Sequence, residues 1–60
     1  MKTFDDVVEA KDFALGESLE AGAAEVFQTG RSSFAVVSAG EPAPEGVSLS
    51  LWKLGRPVSE

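Results

Sequence analysis

The stretch "TFDDVVEAKDFALGESLEAGAAEVFQTGRSSFAVVSA", residues 3–39, changes its hydrophobic period once, and that change decides the fold. Up to Gly22 the apolar residues recur at helical spacing, and after it they alternate as in a strand. Thr3 followed by Asp6 resembles a capping box in which Asp6 takes the place of the usual Glu. Gly22 lies where a left-handed glycine commonly ends a helix. The pattern therefore predicts one helix over residues 4–21.

The predicted helix has one apolar side and one weak point. At about 100° per residue, eight residues share the side expected to be buried: Phe4, Val7, Val8, Lys11, Ala14, Leu15, Ser18 and Leu19. Gly16 lies inside the helix, where glycine costs about 1 kcal/mol relative to alanine. Two shorter helices that meet near Gly16 are therefore the alternative.

Two strand-like runs, "AAEVFQT" at 23–29 and "SSFAVVSA" at 32–39, flank the dipeptide Gly30-Arg31. Gly-X between two such runs is typical of a two-residue hairpin turn of type II′. This turn sets Phe27 opposite Phe34 across the two strands.

A third run, "VSLSLWKL", alternates in the same way and predicts a strand over residues 47–54. Together with the hairpin strands near 23–29 and 32–38, it forms a three-stranded antiparallel meander. The helix covers one face of this sheet, which makes a two-layer α+β fold with a single domain over residues 1–60.

Both faces of the predicted sheet are apolar, so the buried one is chosen by area. We expect the face with both phenylalanines to meet the helix, because it removes more apolar surface from water. That face contains Phe27, Phe34, Val47, Leu49 and Leu51. The opposite face presents Val26, Val37 and Trp52. The segment "GEPAPEG", residues 40–46, is predicted as an extended, solvated loop, and residues 55–60 as a loose tail.

The composition excludes several kinds of active site. Of the 60 residues, 43% are hydrophobic and 25% charged, as in a globular domain, but Cys and His are both missing. No thiolate or imidazole is therefore present to activate a nucleophile or bind a metal. No phosphate-binding glycine loop occurs. We expect no enzymatic activity, no cofactor and no metal site.

The whole net charge of −5 lies on the predicted helix, where acidic residues outnumber the single lysine. The acids share one broad sector opposite the apolar side: Asp5, Asp6, Glu9, Asp12, Glu17 and Glu20. Like charges at i, i+3 or i, i+4 destabilise a helix by roughly a few tenths of a kcal/mol per pair. Phe13 lies within the sector and resembles the apolar anchor of a small interface. We predict that these seven residues bind a partner, although a solvated face that serves only solubility is the alternative.

The acidic helix, residues 5–20, can be compared with a nucleic acid. Its six acids span about 22 Å, or one charge every 4 Å or so, against about 3.4 Å between the phosphates of one DNA strand. In size, charge and acidic helix the chain resembles the small, acidic, phage-encoded anti-CRISPR proteins, several of which are DNA mimics.

This resemblance implies a protein inhibitor that blocks the DNA-binding groove of a CRISPR effector complex in the cytoplasm of a bacterial host. The net negative charge argues against direct contact with nucleic acid or an anionic membrane. A basic, nucleic-acid-binding protein is therefore the expected partner. No apolar run approaches the 18 residues of a membrane span, and no signal peptide is evident. The missing cysteines fit a cytoplasmic protein.

A structural or assembly module is the alternative function. In that case the chain associates through its second sheet face, at Val26, Val37 and Trp52, and forms a weak homodimer. An accessory subunit of a larger enzyme is a third interpretation. High salt weakens an acidic interface but not an apolar one, so ionic strength distinguishes the first two.

Overall fold

The computed structural model describes residues 1–59 as an α+β domain, with one helix packed on a five-stranded antiparallel sheet. The elements in chain order are β1 (Lys2–Phe4), α1 (Val7–Ala21), β2 (Ala23–Gly30), β3 (Ser33–Ser38), β4 (Val47–Lys53) and β5 (Arg56–Ser59). In space the strands follow the order β1-β3-β2-β4-β5. The α+β class is confirmed, and the sheet has two strands more than the sequence predicted.

The two additional strands lie at the edges of the sheet. β1 pairs with β3, and β5 pairs with β4. β1 has only three residues, too few to show an alternating pattern, and β5 contains Pro57, which an edge strand tolerates. The predicted loose tail over 55–60 is therefore wrong for residues 56–59, and residue 60 lies outside the described part of the chain.

The helix begins three residues later than predicted. Thr3 belongs to β1, so the capping box does not form, and the carboxylate of Asp6 caps the helix by accepting a hydrogen bond from Val8 N at 3.0 Å. Gly22 ends the helix with φ 93°, and its N–H donates to Ser18 O at 2.9 Å. The helix continues through Gly16 without a break.

The β2–β3 hairpin turns one residue later than predicted. Its turn falls at residues 31–32, and Gly30 lacks the positive φ that a type II′ turn requires of its first central residue. Phe27 therefore pairs with Ala35 and not with Phe34. Because successive side chains of a strand point to opposite faces, this slip places the two phenylalanines on opposite faces of the sheet.

The core lies between α1 and the sheet face that carries Val26 and Val36, which are paired across β2 and β3. Its fully buried members are surrounded by larger, half-buried side chains. The buried set is Ala10, Ala14, Ala24, Val26 and Val36, and the larger set is Phe4, Phe13, Phe34, Leu49 and Trp52. The predicted face was therefore largely wrong: Phe34 and Leu49 pack here as expected, but Phe27 and Leu51 lie on the other face.

The buried side of α1 is also rotated from the predicted one. Ala10, Ala14 and Ser18, at spacing i, i+4, i+8, are completely buried. Their small side chains allow the helix to approach the sheet closely, while the aromatic residues fill the space around it. Val8 and Leu19, both predicted to be buried, are 61% and 59% exposed.

The second face of the sheet is covered by the segment 39–46. β3 and β4 run parallel with β2 between them, so the segment that joins them must cross β2. Ala43 of this segment lines a shallow cavity together with Val37 and Leu51. This cover explains why Phe27 is only 7% exposed on a face that the helix does not touch. Residues 40–46 form no helix or strand, and all of them except Pro44 are exposed, so the predicted solvated loop is confirmed. The sequence did not show that this loop crosses the sheet.

Candidate protein-binding surface

The outward side of α1 is acidic. Glu9, Asp12 and Glu20 are exposed, because the helix buries the side that carries Ala10 and Ala14. At about 100° per residue these three carboxylates lie within one 80° sector that points away from the sheet. Three of the six predicted acidic residues thus share one exposed helix face.

The first two acids lie just before the helix. Asp6 is the N-cap, and its carboxylate is committed to Val8 N. Asp5 is exposed in the two-residue link between β1 and α1. Both remain near the N-terminal end of α1, where the helix dipole favours negative charge.

Glu17 departs from the predicted acidic sector. Its side chain is half-buried, and its Oε2 accepts a hydrogen bond from Ser38 Oγ at 2.6 Å. It therefore ties α1 to the end of β3. We conclude that Glu17 has a structural contact that the outward acids lack.

Phe13 is not the exposed anchor that the sequence suggested. Its ring packs against the core, with its centroid 5.4 Å from that of Phe4. The ammonium group of Lys2 lies 5.8 Å from the Phe13 ring centroid, within cation–π range. Phe13 is therefore not an exposed apolar contact surrounded by carboxylates, as predicted. The helix is rotated so that the side with Phe13 lies against the core.

The outward acids have no cationic partner within residues 1–59. The one ion pair in this part of the chain joins the N-terminal ammonium of Met1 to Glu41, at 2.8 Å. That ammonium and a hydrogen bond from Ser38 N lower the pKa of Glu41 below its ordinary value of 4.5. Glu9, Asp12 and Glu20 thus form no ion pair with the described part of the chain.

An apolar strip accompanies the acids. Val8, Leu15 and Leu19 lie along one side of α1 and are exposed, next to the outward carboxylates. Leu19 reaches the β4–β5 turn, where its Cδ2 lies 2.8 Å from the position of a Cβ added to Gly55. The sequence pattern did not predict this strip, because helical spacing places its residues on the side expected to be buried. The small residues at 10, 14 and 18 share the buried side, but only the packing of the helix on the sheet shows that they, and not the leucines, face the core.

The spacing of the carboxylates is wider than that of DNA phosphates. From Glu9 to Glu20 the outward face spans about 16 Å and holds three charges, or one every 8 Å on average. The predicted spacing of 4 Å included three more acids. Asp5 and Asp6 precede the helix, and Glu17 points toward Ser38. Charge alone therefore imitates a nucleic-acid strand less closely than the sequence suggested.

The residues predicted for self-association do not form one exposed face. Val26 is fully buried beneath α1, and Val37 is 5% exposed under the segment 39–46. Trp52 packs against the core, and its Nε1 donates to Ser50 Oγ at 3.0 Å. The predicted dimer surface is therefore wrong, because Val26 and Trp52 pack on the side of the sheet that α1 covers, whereas Val37 lies on the opposite side.

The shallow cavity under the crossing segment has a volume of about 170 Å³. Small-molecule pockets are commonly about 300 to 1,000 Å³, so this cavity is small for a substrate. Within residues 1–59 the acidic residues form no group of three or more that could hold a metal ion. The acidic and apolar side of α1 is the more prominent surface feature.

Comparisons with known proteins assign no family. No protein-family model matches the chain, and no curated protein or solved structure gives a significant match. Among the described residues, α1 is too short and too polar to cross a membrane. Function must therefore be inferred from the surface of α1.

Proposed function

We propose that this protein is a non-enzymatic inhibitor that docks the outward side of α1 against a basic groove of a nucleic-acid-binding protein. One observation supports the proposal. Glu9, Asp12 and Glu20 share the exposed helix face and have no cationic partner within residues 1–59. A basic partner supplies the missing counter-charges, and the bound helix then excludes nucleic acid from the groove.

The arrangement has a cost to the free protein. Glu9 and Asp12 are like-charged at i, i+3, and such a pair destabilises a helix by roughly a few tenths of a kcal/mol. A face that serves only solubility is better built from both signs of charge. A surface that binds a cationic groove explains why one sign dominates, since the field also steers the encounter and raises the association rate.

The finer proposal concerns the class of partner. The resemblance in size and charge to phage-encoded anti-CRISPR proteins makes a CRISPR effector complex the first candidate, in the cytoplasm of a bacterial host. Such a complex holds nucleic acid in a positively charged channel. We propose that α1 occupies part of this channel.

Displacement of DNA tests the proposal. A panel of purified CRISPR effector complexes is loaded with fluorescent target DNA, and release is followed by anisotropy as the protein is added. The neutralised variant Glu9→Gln/Asp12→Asn removes two negative charges from α1. Its matched control, Glu45→Lys, makes the same change in net charge at an exposed site in the crossing segment.

We expect wild type and Glu45→Lys to release DNA at similar concentrations, and the neutralised variant to need at least about tenfold more, because close charge pairs contribute on the order of 1.5 kcal/mol or more. Added salt should weaken wild type more than the neutralised variant. Equal release by all three proteins, or no release from any complex, would contradict the proposal.

A further inference from the structure

Exposed apolar side chains recur along α1 and at the β4–β5 turn beside it. Of the seven large hydrophobic residues that are exposed in residues 1–59, five belong to α1, to the turn between β4 and β5, or to β5. These five are Val8, Leu15, Leu19, Leu54 and Val58. The other two lie elsewhere, at the N-terminus and the start of β4. Single exposed apolar residues are common, but a row of them is characteristic of a binding site.

The β4–β5 turn carries a second, independent sign of a binding role. Leu54 and Gly55 both have positive φ, 52° and 81°, as in a type I′ turn. Asn, Asp or Gly normally occupies the first of these positions, because a leucine there is strained. Leu54 is also 68% exposed, so its side chain contributes little to the fold. A residue that lowers the stability of the fold and buries little of its own surface is expected where its side chain contacts a partner.

Contacts join the turn to the helix. Leu54 N donates to Gly22 O at 3.3 Å, and Leu19 packs over Gly55. Leu54 therefore lies beside the C-terminal end of the strip formed by Val8, Leu15 and Leu19. The apolar strip and Leu54 together form one apolar surface.

We propose that the apolar strip docks a cationic amphipathic helix of the partner protein. This rests on the proposed function and adds the mode of recognition: leucine-like side chains of the partner meet the strip, and its Lys or Arg residues meet the carboxylates beside it. From Val8 to Leu19 the strip extends about 16 Å along α1, or three helical turns, which suits an α-helix laid alongside.

The negative charges beside the strip favour a cationic helix over a second copy of the chain as the binding partner. Glu9, Asp12 and Glu20 border the strip along the outward side, and only Lys11 lies toward its other edge. Two copies that pair antiparallel would set carboxylates against carboxylates, and each copy brings a net charge of −5. A helix with apolar residues on one face and cations beside them satisfies both features of the surface.

A model peptide tests the mode of recognition directly. The probe is a fluorescent 18-residue peptide of Leu and Lys with leucines at helical spacing. Its control is a scrambled peptide of the same composition, which has the same charge without an apolar face. We expect the amphipathic peptide to bind at least tenfold more tightly and to shift the NMR signals of Val8, Leu15 and Leu19.

Matched variants separate the strip from general apolar surface. Val8→Ser removes a strip residue, and Val47→Ser removes a valine of similar exposure, 66% against 61%, at the start of β4. We expect Val8→Ser to weaken peptide binding about fivefold and Val47→Ser to leave it unchanged. Leu54→Asn should relieve turn strain, so it is expected to raise the melting temperature while it weakens binding.

Three outcomes overturn this inference. Equal binding of the amphipathic and scrambled peptides would mean that only charge is recognised, which leaves the proposed function intact. Equal effects of Val8→Ser and Val47→Ser would place the contact elsewhere. Concentration-dependent dimerisation in sedimentation that Val8→Ser abolishes would make a second copy the occupant. Failure of the proposed function shows separately, in the DNA-displacement assay.

Discussion

The hydroxyl group of Ser18, buried in α1, accepts a hydrogen bond at 2.8 Å from the backbone N–H of Gly55, 37 residues later in the chain. The same hydroxyl donates to Leu15 O at 2.8 Å. One serine thus satisfies a half-buried N–H of the β4–β5 turn and fixes that turn against the helix. This contact positions Leu54 beside Leu19, and so it shapes the surface that we assign to the partner.

Removal of this hydroxyl tests its role in the fold. We expect Ser18→Ala to lower the free energy of unfolding by about 1–3 kcal/mol, because the N–H of Gly55 loses its partner. Urea denaturation followed by circular dichroism measures the change. Ser32→Ala, at an exposed position in the β2–β3 turn, serves as the control and should alter stability little. Equal stability of the two variants would show that the contact contributes nothing.

Two glycines of segment 39–46 test whether this segment packs closely on the second face of the sheet. Gly46 and Gly40 both have positive φ, but a Cβ at Gly46 would collide with the backbone of Gln28, whereas Gly40 has open space around it. Gly46→Ala should therefore destabilise the protein by clearly more than the roughly 1 kcal/mol expected from positive φ alone at Gly40→Ala. Thermal melts of the two variants provide the comparison. Similar losses would contradict the close packing of segment 39–46 on β2.

Acid should remove one stabilising contact. The pKa of Glu41 is lowered in the folded state by the Met1 ammonium and by the N–H of Ser38, so folding favours its ionised form. Its contribution is present above the unfolded pKa, near 4.5, and is lost as the pH falls through the lower folded value. Glu41→Gln should therefore melt below wild type at pH 7, and the difference should shrink below pH 4.5. A difference that stays constant with pH would rule out this linkage.

The helix was readable from the sequence because its end is marked by local chemistry. Gly22 supplies the positive φ that ends α1, and the change of period follows directly. The rotation of the helix was not readable, because leucines were weighted above the small residues Ala10 and Ala14. Only the close approach of helix and sheet, a tertiary property, shows that the small side is the buried one.

The register of the hairpin could not be predicted from the sequence either. Gly30 is the obvious turn residue, yet the turn falls one residue later, and a slip of one residue exchanges the two faces of the sheet. The acidic character of α1 was predicted, but the identity of the residues on its exposed side was predicted only in part. Phe13 and Glu17 turned out to face the protein, and the exposed residues Val8, Leu15 and Leu19 replaced them.

Charge reversal on α1 should improve the fold. Asp12→Lys converts the like-charged pair with Glu9 into an attractive one, and Glu20→Lys does the same with Glu17 and adds a cation to the last turn of the helix. Each variant should gain roughly a few tenths of a kcal/mol of stability. Chemical denaturation of both single variants checks this. A loss of stability in both would mean that these carboxylates have stabilising contacts.

The most direct test of the central claim is the concentration at which Asp12→Lys/Glu20→Lys releases DNA from a CRISPR effector complex that the wild-type protein inhibits. The claim is that the outward carboxylates of α1 are what the partner recognises. It predicts that this variant stays folded, melts at or above the wild-type temperature, and releases DNA only at concentrations at least about tenfold higher. Glu45→Lys should inhibit like wild type in the same assay. Full inhibition by the double lysine variant would contradict the claim.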